Sequence, residues 1–382
     1  MKMVELIATA PMGLEAVVAR EVKALGYENV KVENGRVLIK ADLAAIPRLN
    51  LWLRTADRLL IKMGEFKATS FDHLFEGTKK LDWEQWLTKD GFFHVNGRSW
   101  KSQLTSVPAC QGIVKKAIIE KLKEKYHEDW FSETGAKFPI EVALQKDIAT
   151  LTLDTSGIGL HKRGYRRLTA TAPIKETLAA ALVLLSRWEP HRPFLDPLCG
   201  SGTIPIEAAL IGRNIAPGLK RSFAAENWPA IPQRIWDKAR EEGKDLAKRE
   251  QKLDILASDQ DAEAISLAGY HLRQAGVADG VKLKSQALRD IKISKEYGAL
   301  ITNPPYGERL GEISLVEQLY KEMGELSRQL ATWSFFVITS YPGFEGLFGR
   351  TSDKNRKLYN GRIETKFYQY LGPLPPRTKK EE

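Results

Sequence analysis

Cysteine is almost missing from this chain: Cys110 and Cys199 are the only two in 382 residues. Two cysteines so far apart form neither a disulfide framework nor a metal cluster. Six scattered histidines make no close ligand constellation, so no structural metal is expected. Long apolar runs are missing too. No stretch approaches the roughly 18 residues of a membrane span, and "MKMVELIATAPMGLE" has neither the apolar core nor the cleavage site of a secretory signal. A cytoplasmic location is therefore expected. Negative charge is in deficit, with 48 acidic residues against 58 lysines and arginines, a formal charge of +10 and a pI near 9.3. That balance favours a polyanionic partner, nucleic acid before membrane, although surplus lysine also serves solubility alone.

What is present is a globular composition, 43% hydrophobic and 28% charged, in a chain long enough for two or three domains. The first 65 residues predict β-α-β-β-α-β, the order of a ferredoxin-like unit. "VELIATA" reads as a strand and "GLEAVVAREVKALG" as a helix. "NVKVENGRVLIK" reads as two strands turned at Asn34-Gly35. A helix near "DLAAIPRLNLWL", disturbed by Pro47, and a strand "DRLLIKMGEF" complete the unit. Between 69 and 155 the pattern predicts a helix in "FDHLFEGTKKLDWEQWL", a strand "FFHVNGRS", a long helix "CQGIVKKAIIEKLKEKY" and the strands "PIEVALQK" and "IATLTLDT". The basic turn "GRSWKSQ" precedes the long helix. Arg98 and Lys101 there suit either a phosphate cradle or a solvated charged turn.

"GIGLHKRGYRRLTATAP" reads as a linker, with Lys162, Arg163, Arg166 and Arg167 around Tyr165. Four cations beside an aromatic ring suit phosphate contacts with stacking, and a charged hinge at a domain junction has the same composition. From Pro173 onward long helices alternate with the short apolar runs "RPFLD", "LDILASD", "YGALITN" and "WSFFVIT", which predicts a doubly wound parallel sheet. A second Asn-Gly dipeptide in "RKLYNGRIETKFYQY" predicts an antiparallel hairpin at the sheet edge.

The chemistry is concentrated in four places. "FLDPLCGSGT" ends a strand with Asp196 and Pro197, then spaces Gly200 and Gly202 before Thr203 opens a helix. Glycines at that turn let backbone approach a ligand. Ile204 and Pro205 stand where the dinucleotide fingerprint has its third glycine, and Asp196 would repel a pyrophosphate. A ligand with an ammonium group fits better, and S-adenosylmethionine is such a ligand. Asp259 ends the next predicted strand, where an acid can take both ribose hydroxyls; Asp261 is an alternative, farther from the strand. An insertion of roughly residues 213 to 250, rich in charge and tryptophan, separates Gly202 from Asp259. Asp290, with Gln286 and Ala287 close by, can accept from an adenine amine. The fourth place is "NPPYGERL". Pro304 restricts Asn303 to extended backbone, so the Asn303 amide oxygen and the Pro304 carbonyl can face one way. Two fixed acceptors hold the hydrogens of an exocyclic amine and leave its lone pair for an electrophilic methyl. Tyr306 offers a face for a flipped base. An isolated Asn-Pro-Pro is only a rigid turn; its place after a glycine loop and three acids favours the chemistry.

"FLDPLCGSGT" and "NPPYGERL" resemble the motifs of amino-methyltransferases. "LHKRGYR", "APIKETLAAAL" and "NPPYGERLG" together resemble the THUMP-domain guanine-N2 RNA methyltransferases, nearest those acting on large-subunit ribosomal RNA in bacteria. The resemblance covers nearly the whole chain. It implies a ferredoxin-like subdomain at 1–65, a THUMP RNA-binding region at 66–156, a basic linker at 157–172 and a Rossmann-like class I methyltransferase domain at 173–382. It further implies that Asn303, Pro304, Pro305 and Tyr306 hold the amine and base. The glycine loop and the acids Asp196, Asp259 and Asp290 would contact S-adenosylmethionine. Fused relatives carry a second methyltransferase domain, whose activity is not expected of a chain ending at Glu382. Asn-Pro-Pro-Tyr also occurs in DNA adenine-N6 methyltransferases, and the THUMP region favours RNA. Transfer RNA remains the rival to ribosomal RNA, and a non-catalytic assembly role is the alternative of another class.

Overall fold

Period-two burial along "RVLIKAD" beside the more fully buried "MVELIAT" builds the first of two seven-stranded sheets in the computed structural model, which describes residues 3–166, 168, 174–307 and 313–376. β1 (Met3–Thr9) pairs antiparallel with β3 (Arg36–Asp42) and with β4 (Arg58–Lys67), and β2 (Val30–Glu33) flanks β3. Glu33 pairs with Arg36, so Asn34-Gly35 is the two-residue turn that the dipeptide predicts. Helices Glu15–Ala24 and Ala45–Trp52 supply the rest of the β-α-β-β-α-β order. Pro47 is tolerated because it lies in the first turn of its helix, where backbone N–H groups have no intrahelical acceptor to lose.

The same sheet continues without a break. β4 pairs with β7 (Ile148–Asp154), β7 with β6 (Lys137–Gln145), and β6 with β5 (Phe92–Trp100), which lies at the sheet edge. β5 and β6 are parallel, a pairing that needs a crossover. The helix Val107–Tyr126 provides it, N-capped by Ser106. The single helix predicted over residues 71–87 stops instead at Lys79, and a short 3-10 turn follows at Trp83–Gln85. Trp83 is fully buried and its indole donates to the Thr78 carbonyl at 2.8 Å, a contact that folds the chain back.

The second sheet has the order β10-β9-β8-β11-β12-β14-β13. Its members are β8 (Phe194–Asp196), β9 (Ile255–Asp259), β10 (Val281–Ser285), β11 (Ala299–Thr302), β12 (Ser334–Thr339), β13 (Lys354–Asn360) and β14 (Ile363–Tyr370). The first five run parallel and the last two form an antiparallel hairpin on β12. This is a Rossmann-like doubly wound sheet with the expected edge hairpin. The hairpin turn is Gly361-Arg362, one residue later than the Asn-Gly dipeptide suggests, because Asn360 pairs with Ile363. Gly361 takes φ +66°, and glycine at the first turn position is what such hairpins favour.

Contacts divide the chain into two compact units, Met1–Ala10 with Val18–Leu160 and Gly218–Asp245, and Pro11–Val17 with His161–Pro217 and Leu246–Glu382. Residues 173–382 therefore do not form one continuous block: much of the insertion between Gly202 and Asp259 packs with the first unit. The reason is apolar. Trp228 stacks on Phe138 at 5.0 Å and donates to the Lys137 carbonyl at 2.8 Å, while Phe223 stacks on a fully buried Trp236 at 5.5 Å. Arg48 pairs with Glu242 at 2.7 Å on the helix Gln233–Asp245. Among the described residues no helix is long and apolar enough to cross a membrane. Trp228→Ala should destabilise the first unit by about 3–5 kcal/mol, the range for a large aromatic removed from a core. A urea titration followed by fluorescence would measure it, and a cost below about 1 kcal/mol would mean the insertion is only loosely laid down.

Candidate active site

Strand order in the second unit reverses beside β8: the chain runs outward through β9 and β10, then returns to add β11 on the other side. Ligands of open α/β sheets settle at the carboxyl ends of strands at such a reversal. Three polar side chains converge there: Asp196 ends β8, Asp259 ends β9, and Asn303 follows β11 directly. They line one cavity of about 500 Å³ together with Gly200, Thr203 and Ile174, a size within the range of small-ligand sites.

Asp196 is the buried centre of this group, at 1% exposure. Its Oδ1 accepts from the Thr302 hydroxyl at 2.8 Å and from the Leu198 N–H at 3.3 Å. Burial pushes its carboxyl up to about 7; the Thr302 and Leu198 hydrogen bonds oppose the rise and the nearby Asp259 adds to it. Asp259 ties the glycine loop to the sheet, accepting from the Gly200 N–H at 3.0 Å and from the Asp261 N–H at 3.1 Å. Gly200 and Gly202 both have positive φ, +49° and +83°. At Gly202 a side chain would also meet Ala268 at 3.0 Å, so glycine is required there on two counts. Pro197 is buried in the same turn, and Cys199 anchors it by donating its N–H to the Ser258 carbonyl at 2.9 Å.

The donor set fits the ligand that the sequence suggests. A buried carboxyl suits an ammonium group, Asp259 and Asp261 offer oxygens for ribose hydroxyls, and Thr203 has a buried hydroxyl with no partner among the described residues. Asp290 is placed differently: it is exposed, at the end of the 3-10 turn Leu288–Asp290, and does not line this cavity.

The Asn-Pro-Pro-Tyr segment is braced from two sides. Tyr320, on the helix Ile313–Gln329, donates its hydroxyl to the Pro305 carbonyl at 2.9 Å. Tyr306 donates to Asn303 Oδ1 at 2.5 Å and accepts from Asn360 Nδ2 at 3.3 Å. Pro304 is buried and Pro305 exposed.

The basic candidates separate. Lys162 is exposed. Arg163 and Arg166, read from sequence as RNA contacts, turn inward. Arg163 lies 3.4 Å from the fully buried Glu207, which also accepts from Tyr165 at 3.0 Å. Arg166 pairs with Glu176 at 3.3 Å and donates to the Ile174 carbonyl at 2.9 Å. Burial raises the Glu176 carboxyl against the pull of Arg166, and buried acids of this kind require nearby cations. Arg167 lies outside the described residues. In the first unit Arg98 is in β5 rather than in a turn, paired with Glu141 on β6 at 3.0 Å. Lys101 follows it, with its ammonium 4.5 Å from the ring of the half-exposed Trp100. Among the described residues no group of three or more His, Cys, Asp or Glu could hold a metal.

Sequence reasoning missed Thr302, the polar end of the run "ALIT", and His271, whose Nδ1 meets the Ser201 carbonyl at 3.0 Å behind the glycine loop. A threonine ending a buried strand beside Asn303 was a legible signal. A single histidine on the apolar face of a helix was not.

Residues 163–369 match the family model described as "RMKL-like, methyltransferase domain", residues 5–60 the RlmL ferredoxin-like domain, and residues 68–154 the THUMP domain. The chain is 53% identical over its whole length to the full length of "Putative RNA methyltransferase YpsC" of Bacillus subtilis strain 168. It is 33% identical to the ribosomal RNA large subunit methyltransferase K/L of Syntrophotalea carbinolica, over 96% of this chain and 53% of that protein, so it spans about half the length of that relative. The solved structure of SMU.472, complexed with SAH, superposes with a TM-score of 0.93 at 47% identity, covering 99% of this chain and 100% of that one.

An ammonium ligand should favour the ionised form of Asp196. With that carboxyl at about 7 in the free protein, affinity for S-adenosylhomocysteine should rise by about eightfold from pH 6 to 7.5 and then level. Titration calorimetry would show the rise, and Asp196→Asn should both weaken binding and flatten it; a pH-independent affinity in the unmodified protein would remove Asp196 from the ammonium site.

Proposed function

We propose that this chain, which belongs to the RMKL-like methyltransferase family and uses S-adenosylmethionine, is an RNA methyltransferase acting on the exocyclic N2 amine of a guanine in large-subunit ribosomal RNA. The observation that carries the reading is the placement of Asn303 on the same cavity as the glycine loop, Asp196 and Asp259. S-adenosylmethionine supplies an electrophilic methyl group when bound. The protein's part is alignment. Asn303 Oδ1 and the Pro304 carbonyl accept the two amine hydrogens, so the nitrogen lone pair is directed into the cavity, and Tyr306 gives the flipped base a face to stack on. No covalent enzyme intermediate is needed.

The choice of RNA rests on the THUMP match over residues 68–154, on the RNA methyltransferase names of the relatives, and on the net charge of +10. The choice of ribosomal RNA rests on the K/L relative. Lys162, Arg98 and Lys101 are the exposed cations proposed to meet the RNA backbone, with Trp100 beside Lys101 as a stacking surface.

Labelled methyl transfer to undermodified total RNA and to DNA, followed by nucleoside analysis, tests this. N2-methylguanosine in the large ribosomal RNA is the expected product. Label in transfer RNA would keep the chemistry and replace the substrate, and N6-methyladenine in DNA would overturn the reading of the N-terminal half. Asn303→Ala should lower turnover by at least about a hundredfold while leaving S-adenosylhomocysteine affinity within about threefold; retained turnover would remove the amine acceptor from the scheme.

A further inference from the structure

The amide of Asn303 has two ends of opposite character, and only one of them suits the proposed reaction. Its oxygen accepts an amine hydrogen, whereas its NH2 would point donors at a donor. Something must hold the amide the right way round. In the structure that partner is Tyr306, whose hydroxyl donates to Asn303 Oδ1 at 2.5 Å. A hydroxyl can also turn and accept, so by itself it does not fix the amide. The Tyr306 oxygen, however, receives the Asn360 Nδ2–H at 3.3 Å. A hydroxyl that accepts a hydrogen bond on its oxygen is biased to pass its own hydrogen onward, and such chains strengthen each other.

The position of Asn360 follows from the sheet. β11 and β12 run parallel, so Thr302 and Thr339 end on the same edge. β14 is antiparallel to β12 with Lys366 opposite Thr339, which carries residues 363–365 past that edge. Asn360 closes the hairpin opposite Ile363 and so lies beyond the strand ends, beside the loop that leaves β11. The displaced turn at Gly361-Arg362 is what frees its side chain for this bond, since Asn360 is the last paired residue and not a turn residue.

We infer that Asn360 is a positioning residue for methyl transfer: through Tyr306 it sets the direction of a hydrogen-bond relay, Asn360 to Tyr306 to Asn303, that keeps the Asn303 oxygen presented as the amine acceptor. Asn303 Oδ1 has two lone pairs, so the Tyr306 bond occupies one and leaves the second for the substrate. The inference rests on the reading of Asn303 as the amine acceptor.

Polarity makes the test specific. Asn360→Ala removes the incoming hydrogen and should lower kcat about fivefold, with the KM for S-adenosylmethionine within about twofold. Asn360→Asp has nearly the shape of the native residue but accepts where asparagine donates; it draws the Tyr306 hydrogen away from Asn303 and should cost more than the alanine, over about tenfold. A residue that only packed the hairpin would give the reverse order. In a Tyr306→Phe background the relay is already cut, so Asn360→Ala should add less than about twofold, and any remaining loss in Asn360→Asp reports the added charge alone. Multiplying effects in that background, or an aspartate milder than the alanine, would overturn the relay. A second readout does not depend on turnover. In protein labelled with ¹³Cζ-tyrosine and saturated with S-adenosylhomocysteine, the Tyr306 resonance, assigned from Tyr306→Phe, should move in Asn360→Ala. A resonance that stays in place overturns the inference, whereas a moved resonance with no RNA turnover in the unmodified protein faults the proposed reaction and leaves the relay standing.

Discussion

A carboxyl group buried at the end of a central strand is the constraint on which this site depends. Asp196 sits where β8 meets the end of β11, and the groups acting on it are two hydrogen-bond donors and a second carboxylate. Such a group is poorly placed for folding and well placed for a cation. Its bond to Thr302 registers β8 against β11, and its bond from Leu198 shapes the first step of the glycine loop. Asp259 then fixes the middle of that loop from β9. The loop conformation, the cavity and the position of Asn303 are thus all referred to three adjacent strand ends. On the proposed reading, the cost of burying Asp196 is what favours a positively charged ligand at the site.

A second buried electrostatic arrangement has a different purpose. Arg163, Tyr165 and Arg166 close on Glu207 and Glu176, which belong to the helices Thr203–Gly212 and Glu176–Ser186. The segment that opens this part of the second unit is thereby joined to the helix that starts at the glycine loop. Among the described residues one oxygen of Glu207 is buried without a partner, so Arg163 and Tyr165 carry the compensation of this acid. Two of the four linker cations expected at the RNA, Arg163 and Arg166, are thus paired with buried acids.

The main course of both sheets was legible because it follows from periodicity. Alternation in "RVLIK", uniform apolar character in "SFFVIT" and helical spacing in "CQGIVKKAIIEKLKEKY" are local signals that tertiary packing did not override. The glycine loop, Asp196, Asp259 and Asn303 were legible because each stands at or just after the end of an apolar run that reads as a strand. Arg163 and Arg166 were misread since charge says nothing about direction; the acids that bury them are 44 and 10 residues away in sequence. Arg98 was expected in a turn, whereas β5 continues through Trp100 against β6, a pairing fixed by a distant strand. Asn360 was hidden behind its own turn signal: Asn-Gly announces a hairpin so strongly that a further use of the asparagine side chain leaves no trace in the sequence.

The return of the chain to the first unit over Gly218–Asp245 bears on how the protein is made. Synthesis proceeds from the N-terminus, and domains commonly fold as units when they emerge. Here the first sheet is complete in strands once β7 has left the ribosome, yet Phe138 and its surroundings remain without Trp228 until the segment Gly218–Asp245 follows. By then β8 and the helix after it have also emerged, still lacking their neighbours β9 and β11. The two halves must therefore mature in overlapping intervals, each exposing apolar surface that later sequence covers. Slowed translation between residues 160 and 245 would prolong the exposure around Phe138, and a pause between residues 245 and 299 would prolong that of β8.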